Sequence, residues 1–536
     1  MRSTLHHPTR LLLVALGLGL CADQLFYGRW LGVSVPLFVA LGLATLFGLS
    51  AAEGRPPARA NLWLGAAALF FALCVALRDA PFLAALDLLT VLGLLLLLVA
   101  HYRGAALAQQ PVGRVLARAL FASAEISLRP APLAFQSLGA VQITTEQTRR
   151  LVPVGRGLAL AAPVLMVFTG LLMAADSVFA SYVLQIVALR LPFDPSVVLA
   201  HLAIAGTLAW LYAGGALTAL SSGDRLALLD QVGSYADRLI GGNWGASESR
   251  QMEGRPSGAL PAEGDTQPLP IVKRPLLALG CVEALTILVT VDLLFGGFML
   301  IQAAYFFGGL DTLDRTGMTY ASYARHGFFE LLAVACLTLA LLWALAGLTL
   351  RARPRQRRAF NAASAGMIVL VFGLLLSAFQ RMLLYEQAYG YTRLRLYTHS
   401  FMIWLVLVLV LFLVALLRDR PRTFSFGSFV TALAYLAVLN LASPDALIVQ
   451  ENIARYQASG KLDAAYLASL SADATPALVA ALPALDDASR AVIADALTQQ
   501  RDALAEAEAT QGWPSWSLPR ALARAAIELN LPLLTP

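Results

Sequence analysis

Charge is what this chain has least of. Only 13% of its 536 residues are Asp, Glu, Lys or Arg, against about a quarter in a soluble globular domain. The deficit runs along most of the chain, so a single buried helix does not account for it. Leu88 to Ala100 and Met402 to Leu417 carry no charge at all. Lysine is nearly missing, present only as Lys273 and Lys461. The net charge of +6 does not indicate nucleic acid. Most Arg residues lie in loops between apolar segments, and none interleaves with aromatic residues in a soluble module. The four cysteines, Cys21, Cys74, Cys281 and Cys336, all sit in apolar segments without a Cys-x-x-Cys or other metal-ligand spacing, and such cysteines act as small hydrophobes. The sequence also lacks a phosphate-binding glycine loop, a zinc signature, a haem motif and a serine nucleophile elbow. No catalytic residue, cofactor or metal is therefore expected.

What remains is apolar: 58% of the residues are hydrophobic. Eleven apolar segments fall near residues 9–26, 31–50, 61–77, 81–101, 157–184, 195–219, 275–309, 327–350, 362–384, 396–417 and 424–442. About 20 such residues cross the hydrocarbon layer as a helix. The fold class is an all-α polytopic membrane bundle of about eleven spans, with a small extracytoplasmic helical C-terminal domain. The first span is the weakest, because Asp23 and Gln24 interrupt it. It is nevertheless expected to be a retained helix, since the bulky Leu20 before Cys21 argues against lipoprotein cleavage. The span at 275–309 is overlong and is expected to tilt, kink at Gly296-Gly297 or leave the bilayer.

Arginine placement checks the count. With the amino terminus in the cytoplasm, the cytoplasmic loops hold Arg55 and Arg59, the 103–156 and 225–274 regions, Arg351 to Arg358, and Arg418 to Arg422. The opposite loops hold scattered single Arg residues apart from Arg393 and Arg395, as the positive-inside rule requires. The carboxyl terminus then lies outside. The chain reads as four spans in 1–102, a cytoplasmic loop at 103–156, seven spans in 157–442 with a flexible cytoplasmic loop at 220–274, and an extracytoplasmic tail at 443–536. In the first loop, Arg114, Arg118 and Glu125 share one helical face and Val112, Val115, Leu116 and Leu120 another, which suits an interfacial helix. The tail is acidic and shows helical periodicity over Ala465–Leu485 and Ala491–Ala507, with Asp463, Ser471 and Pro476 as start and turn signals.

Ionisable groups inside spans are costly unless paired or hydrated. Asp87, Asp176, Glu283, Asp292, Glu330 and Arg381 are the candidates. Asp176 lies near the outer end of its span, as an interface cap or in an aqueous cavity. Glu283 and Asp292, nine residues apart, point to nearly opposite helix faces and are not a carboxylate pair. Asp292 either lies on a proton or cation path or pairs with Arg381 or another buried donor. His326 and Glu330 lack the second His of a zinc-binding helix. The densest polar cluster runs from Gln380 to His399. Within it Arg381, Tyr385 and Tyr389 share a face if the helix continues, and Gly390 is its expected terminus. Arg393 and Arg395 are expected to be balanced by local carboxylates such as Glu386. The cluster reads as an interface anchor or a site for an anionic ligand or partner.

This cluster carries a family resemblance, above all in Arg381 to Tyr385 and Tyr389 to Tyr397, together with Ala174 to Ala180, Tyr323 to Leu331 and Tyr456 to Asp463. These stretches resemble bacterial multi-spanning proteins catalogued as domain of unknown function number 4173, which usually have a simpler residue, often Leu, where Tyr391 stands. The resemblance covers roughly residues 160–480 and implies a bacterial inner-membrane location. It brings no activity. Three readings stand: a structural or regulatory protein of the cell envelope whose tail engages an extracytoplasmic protein partner; a transporter, proton-coupled through Asp292, Glu283 and Asp176; and a membrane enzyme acting on a lipid-linked substrate. Membrane lipids surround the chain in each.

Overall fold

The computed structural model describes residues 8–110, 112–130, 195–221, 280–307, 328–349, 351 and 353–533. The helices in chain order are α1 (Pro8–Phe26), α2 (Ser34–Ala52), α3 (Leu62–Leu77), α4 (Pro81–Ala100), α5 (Val112–Leu128), α6 (Pro195–Ser221), α7 (Cys281–Phe307) and α8 (Phe328–Leu348). They continue as α9 (Pro354–Tyr389), α10 (Arg393–Leu417), α11 (Pro421–Ala442), α12 (Pro444–Ser459), α13 (Ala464–Ala468), α14 (Thr475–Ala481), α15 (Asp487–Gln511) and α16 (Leu518–Leu529). Among the described residues there is no β-strand. Ten of the helices, α1 to α4 and α6 to α11, are long and apolar enough to cross a membrane. The protein is a polytopic helical membrane protein. The expected span at 157–184, the loop at 239–272 and the Tyr320 to His326 stretch lie outside the described residues.

The chain forms two units. The first comprises residues 1–30, 40–56 and 122–221. Here α1 packs along α6 through a stripe of Leu11, Ala15, Leu18, Ala22 and Leu25, all buried and spaced for one helical face. Asp23, the residue that weakens the first span in sequence, meets His201 of α6 at 2.8 Å. Tyr212 donates to Thr45 Oγ1 at 2.8 Å, and Trp210 Nε1 donates to the Ser127 carbonyl at 2.9 Å. A polar residue in an apolar run is thus tolerated because a second helix supplies its partner.

The second unit comprises residues 31–39, 57–121 and 222–536. The four N-terminal helices are accordingly shared between the units, with α1 in one and the α3–α4 hairpin in the other. Its membrane core is built around α9. Met367, Ile368, Val371, Leu374, Leu375, Ala378 and Met382 of α9 are buried with Ala284 and Leu288 of α7, Ala335 and Leu342 of α8, and Leu405, Leu409 and Phe412 of α10. At 36 residues, α9 is about 54 Å long, well over the roughly 30 Å hydrocarbon thickness. It extends past both ends of the span expected at 362–384. Helix α7 is continuous through Gly296-Gly297. Helix α5 forms where an amphipathic helix is expected. Leu116 and Leu120 are its exposed side, and Arg114 and Arg118 are partly buried.

The tail is a small helical domain of this second unit. Ile448, Val449, Leu467, Leu470, Leu478, Val479, Leu482, Leu485, Ile493, Leu497 and Ile527 form its own core. Local chemistry places the helix starts. The Asp463 side chain accepts from the Tyr466 amide at 3.0 Å, and the Asp486 side chain caps α15. Pro476 occupies the first turn of α14. Ser443, with φ 51°, turns the chain from α11 into α12.

Candidate functional site at the seam between tail and span ends

The tail is not a free appendage. Tyr391, from the turn between α9 and α10, and Leu396, from the first turn of α10, pack against its core, so that corner belongs to the domain as much as to the bundle. Helix α9 ends at Gly390, as expected, with φ 81°. A Cβ there would stand 2.3 Å from Asn452 Oδ1, a position only glycine fills. The Asn452 side chain brackets the next residue, accepting from the Tyr391 amide at 3.0 Å and donating to the Tyr391 carbonyl at 2.8 Å. Arg455, one turn further along α12, donates to the carbonyls of Gln387 at 2.9 Å and Ala388 at 2.6 Å. It thereby satisfies carbonyls that the end of α9 leaves open.

Beside this clamp lies an ion pair between a half-buried arginine and a buried carboxylate. Arg393 donates to Asp445 through Nε at 2.9 Å and Nη2 at 2.5 Å. Asp445 is fully buried and also accepts from the Ser471 amide at 3.0 Å and hydroxyl at 2.6 Å. Burial pushes the Asp445 carboxyl upward, but the hydrogen bonds from Arg393 and Ser471 outweigh it and hold the group below the ordinary carboxylate range. The Arg393 amide donates to Tyr466 Oη at 2.7 Å.

The network extends to two more loops. Asp473 accepts from the amides of Asp79 at 2.7 Å and Ala80 at 3.1 Å, in the turn between α3 and α4. Arg78 reaches Asp473 at 3.4 Å and also donates to the Asn440 carbonyl. Burial, offset only in part by the Asp79 amide and Arg78, pushes the Asp473 carboxyl above its usual value. Arg520 of α16 pairs with Asp79 at 2.7 Å and donates to the Leu31 carbonyl at 3.1 Å. The Val33 amide donates to the Trp516 carbonyl at 2.8 Å. Three inter-helix loops thus hold the domain through charged and backbone contacts.

The sequence-derived candidates fall into place unevenly. Glu386 is buried and meets His399 Nδ1 at 3.2 Å; it does not balance Arg393, whose partner lies 52 residues away. Arg395 donates to the Gly390 carbonyl and stacks over the Tyr385 ring at 4.0 Å, with the Tyr389 ring 5.9 Å away. This cluster is therefore occupied by the protein's own groups. Glu283 caps α7, accepting from the Gly280 amide at 2.8 Å. Asp292 Oδ2 lies 3.7 Å from where a Cβ on Gly366 would stand. Gly366 precedes the buried Arg381 by about four turns of α9, roughly 22 Å, so the expected Asp292–Arg381 pair is not formed. Glu330 is the third residue of α8, and its side chain is outside the described set, as is all of Asp176. Among the described residues, no group of three or more His, Cys, Asp or Glu could hold a metal ion.

The family model described as Domain of unknown function (DUF4153) matches residues 65–481, well over half of the chain. The chain belongs to this family. The match corrects the resemblance to domain of unknown function number 4173. That resemblance rested on short aromatic and arginine runs at helix ends, which any membrane interface selects, so they do not separate one multi-spanning family from another. The DUF4153 match begins inside α3 and takes in the third and fourth spans, which the resemblance left out. It contains Arg78, Asp79, Arg393, Asp445, Ser471 and Asp473, whereas α1, α2, α15 and α16 lie beyond it. No curated protein and no solved structure matches the chain.

Proposed function

We propose that this DUF4153 protein is a structural or regulatory protein of the bacterial inner membrane that holds its helical tail as a fixed extracytoplasmic platform for a protein partner. The observation that carries the reading is the pairing of Arg393 with the buried Asp445, which joins the tail to the bundle. Arg393 and Arg395, which on sequence alone invited an anionic ligand or partner, are engaged by the protein itself, and so is Arg78. The surface left for a partner is α15, whose Asp487, Asp502, Glu506 and Glu508 are exposed.

Two observations support the orientation. The loops at 31–33, 78–80 and 390–395 all contact the tail and so share its side of the bilayer. The described helices alone would put five crossings between residues 80 and 390. The shared side calls for an even number, and the sequence holds an eleventh apolar segment at 157–184. The arginines on this side are held in ion pairs or on carbonyls, while Arg353, Arg355 and Arg418 to Arg422 crowd the other ends, which suits a cytoplasmic opposite face.

A photo-crosslinking residue at Asp502 or Glu506 in intact cells tests the platform. A discrete protein adduct that disappears with Arg393→Ala supports it; free tail without adducts at any exposed α15 position contradicts it. The transporter reading retains one observation: Asp292 Oδ1 has no hydrogen-bond partner among the described residues. Proton flux in proteoliposomes that is lost with Asp292→Asn would favour it.

A further inference from the structure

The tail's apolar surface is concentrated in one place. Leu518, Leu522, Ala525 and Leu529 of α16 are exposed, and their spacing puts them on one helical face. The opposite face, with Pro519, Ala523 and Ile527, is buried in the domain. The segment leading into α16 adds Trp513 and Trp516, 64% and 50% exposed. Helix α15 presents mainly charge, with Val492 as its exposed large apolar residue. A stripe of three leucines and two tryptophans left in water is an unfavourable surface and marks an interaction site.

Its height is set by backbone contacts. The Trp516 carbonyl accepts from Val33, the residue before α2 begins at Ser34. Gly32 is so close that a Cβ on it would stand 2.3 Å from the Trp516 carbonyl oxygen and 2.7 Å from that of Ser515. Arg520 ties the first turn of α16 to Leu31 and Asp79, which flank the ends of α2, α3 and α4. Trp516 therefore stands level with the mouth of a membrane span, where indole rings concentrate in membrane proteins. Leu31, just before α2, and Leu37, in its first turn, are exposed as well. Arg524 is paired with Glu508 and Glu528, so no anionic headgroup is needed.

We propose that Trp513, Trp516 and the Leu518–Leu522–Leu529 stripe form a lipid-docking surface, which rests on the phospholipid headgroup and upper acyl region beside the bundle. The surface anchors the domain to the bilayer in addition to the loop contacts, and it functions whichever leaflet the tail faces. Its failure would thus leave the platform reading standing, and the converse also holds.

The full-length protein is reconstituted in phosphatidylcholine vesicles, plain or brominated near the headgroup end of the acyl chains. The signal is the fluorescence of wild type minus that of Trp513→Phe/Trp516→Phe. Bromolipid should remove most of this difference signal and aqueous iodide little of it. Quenching by iodide without bromolipid quenching would show a water-facing surface, and protection from both would show a protein cover; either overturns the proposal. A spin label on Leu522→Cys, with Cys21, Cys74, Cys281 and Cys336 replaced by Ser, gives a second reading. It should be more accessible to oxygen than to a water-soluble nickel complex, and the reverse order overturns the proposal.

Discussion

Arg393 and Asp445 meet through two hydrogen bonds, of 2.9 and 2.5 Å, with the carboxylate fully buried. One residue opens a membrane span and the other opens the first helix of the tail. A carboxylate taken out of water is tolerated only where its partners are complete. Here Ser471 supplies the remaining donors. The pair thus makes the tail and the bundle one folding problem, because neither half satisfies its charge alone.

Gly390 is the point where that joint admits no side chain. Gly390→Ala should loosen the tail, both through its positive φ and through the contact with Asn452, at about 1–3 kcal/mol. Asn452→Ala removes that contact but also the two Tyr391 hydrogen bonds, so it should itself loosen the tail, and the double variant should lose less than the sum of the two single ones. Thermal unfolding of the three variants and wild type in one detergent checks this. Equal stability of Gly390→Ala and wild type would show the joint is not tight.

Asp445 and Asp473 should give the joint a pH profile with two limbs of opposite sign. Asp445 is held below its usual range, so its stabilisation is present above about pH 3.9, the unfolded value, and is lost as pH falls through the lower folded value. Asp473 is pushed up; its stabilisation is present below that unfolded value and is lost as pH rises through the higher folded one. Asp445→Asn should remove the acid-side loss and keep the decline at higher pH, and Asp473→Asn should do the reverse. Melting temperatures across an acid-to-neutral series measure both limbs.

Asp87 and Asn440 are buried where α4 meets α11, with Asn440 Nδ2 donating to Asp87 Oδ1 at 2.8 Å. Asn440→Leu strips that donor and should cost about 1–3 kcal/mol. Asp87→Asn keeps a hydrogen-bonding amide in place and should cost less. Unfolding in a graded denaturing detergent ranks them. A harmless Asn440→Leu would mean that the contact adds no stability.

Much of the fold was legible because membrane spans are written locally. Runs such as Met402 to Leu417 need no knowledge of their neighbours, and even α1, weakened by Asp23, was recoverable from length. Gly390 was readable as a helix end for the same reason, since a glycine after a periodic run marks a terminus. The site was less legible. Arg393 and Arg395 stood out, but the partner of Arg393 lies beyond two further spans, so the nearby Glu386 was credited in its place. Asp445 in Ser443-Pro444-Asp445 looks like an ordinary first-turn acid, and Arg78-Asp79 like a short polar turn. Nothing in their sequence neighbourhood says that folding brings Arg78 to Asp473 and Asp79 to Arg520. The cost of a charge inside a span says that Asp292 needs water or a partner and not which one, so Arg381 is only one of the alternatives the sequence offers.

The most direct measurement is a double-mutant cycle on Arg393→Ala and Asp445→Ala, read by native-state proteolysis of the tail in the full-length protein. Each single variant should destabilise docking by about 3 kcal/mol, since each leaves a charge without its partner. The double variant should lose little more than either single one, giving a coupling of about 2–3 kcal/mol. Losses that simply add, with a coupling under about 0.5 kcal/mol, would contradict a tail held to the bundle by this pair.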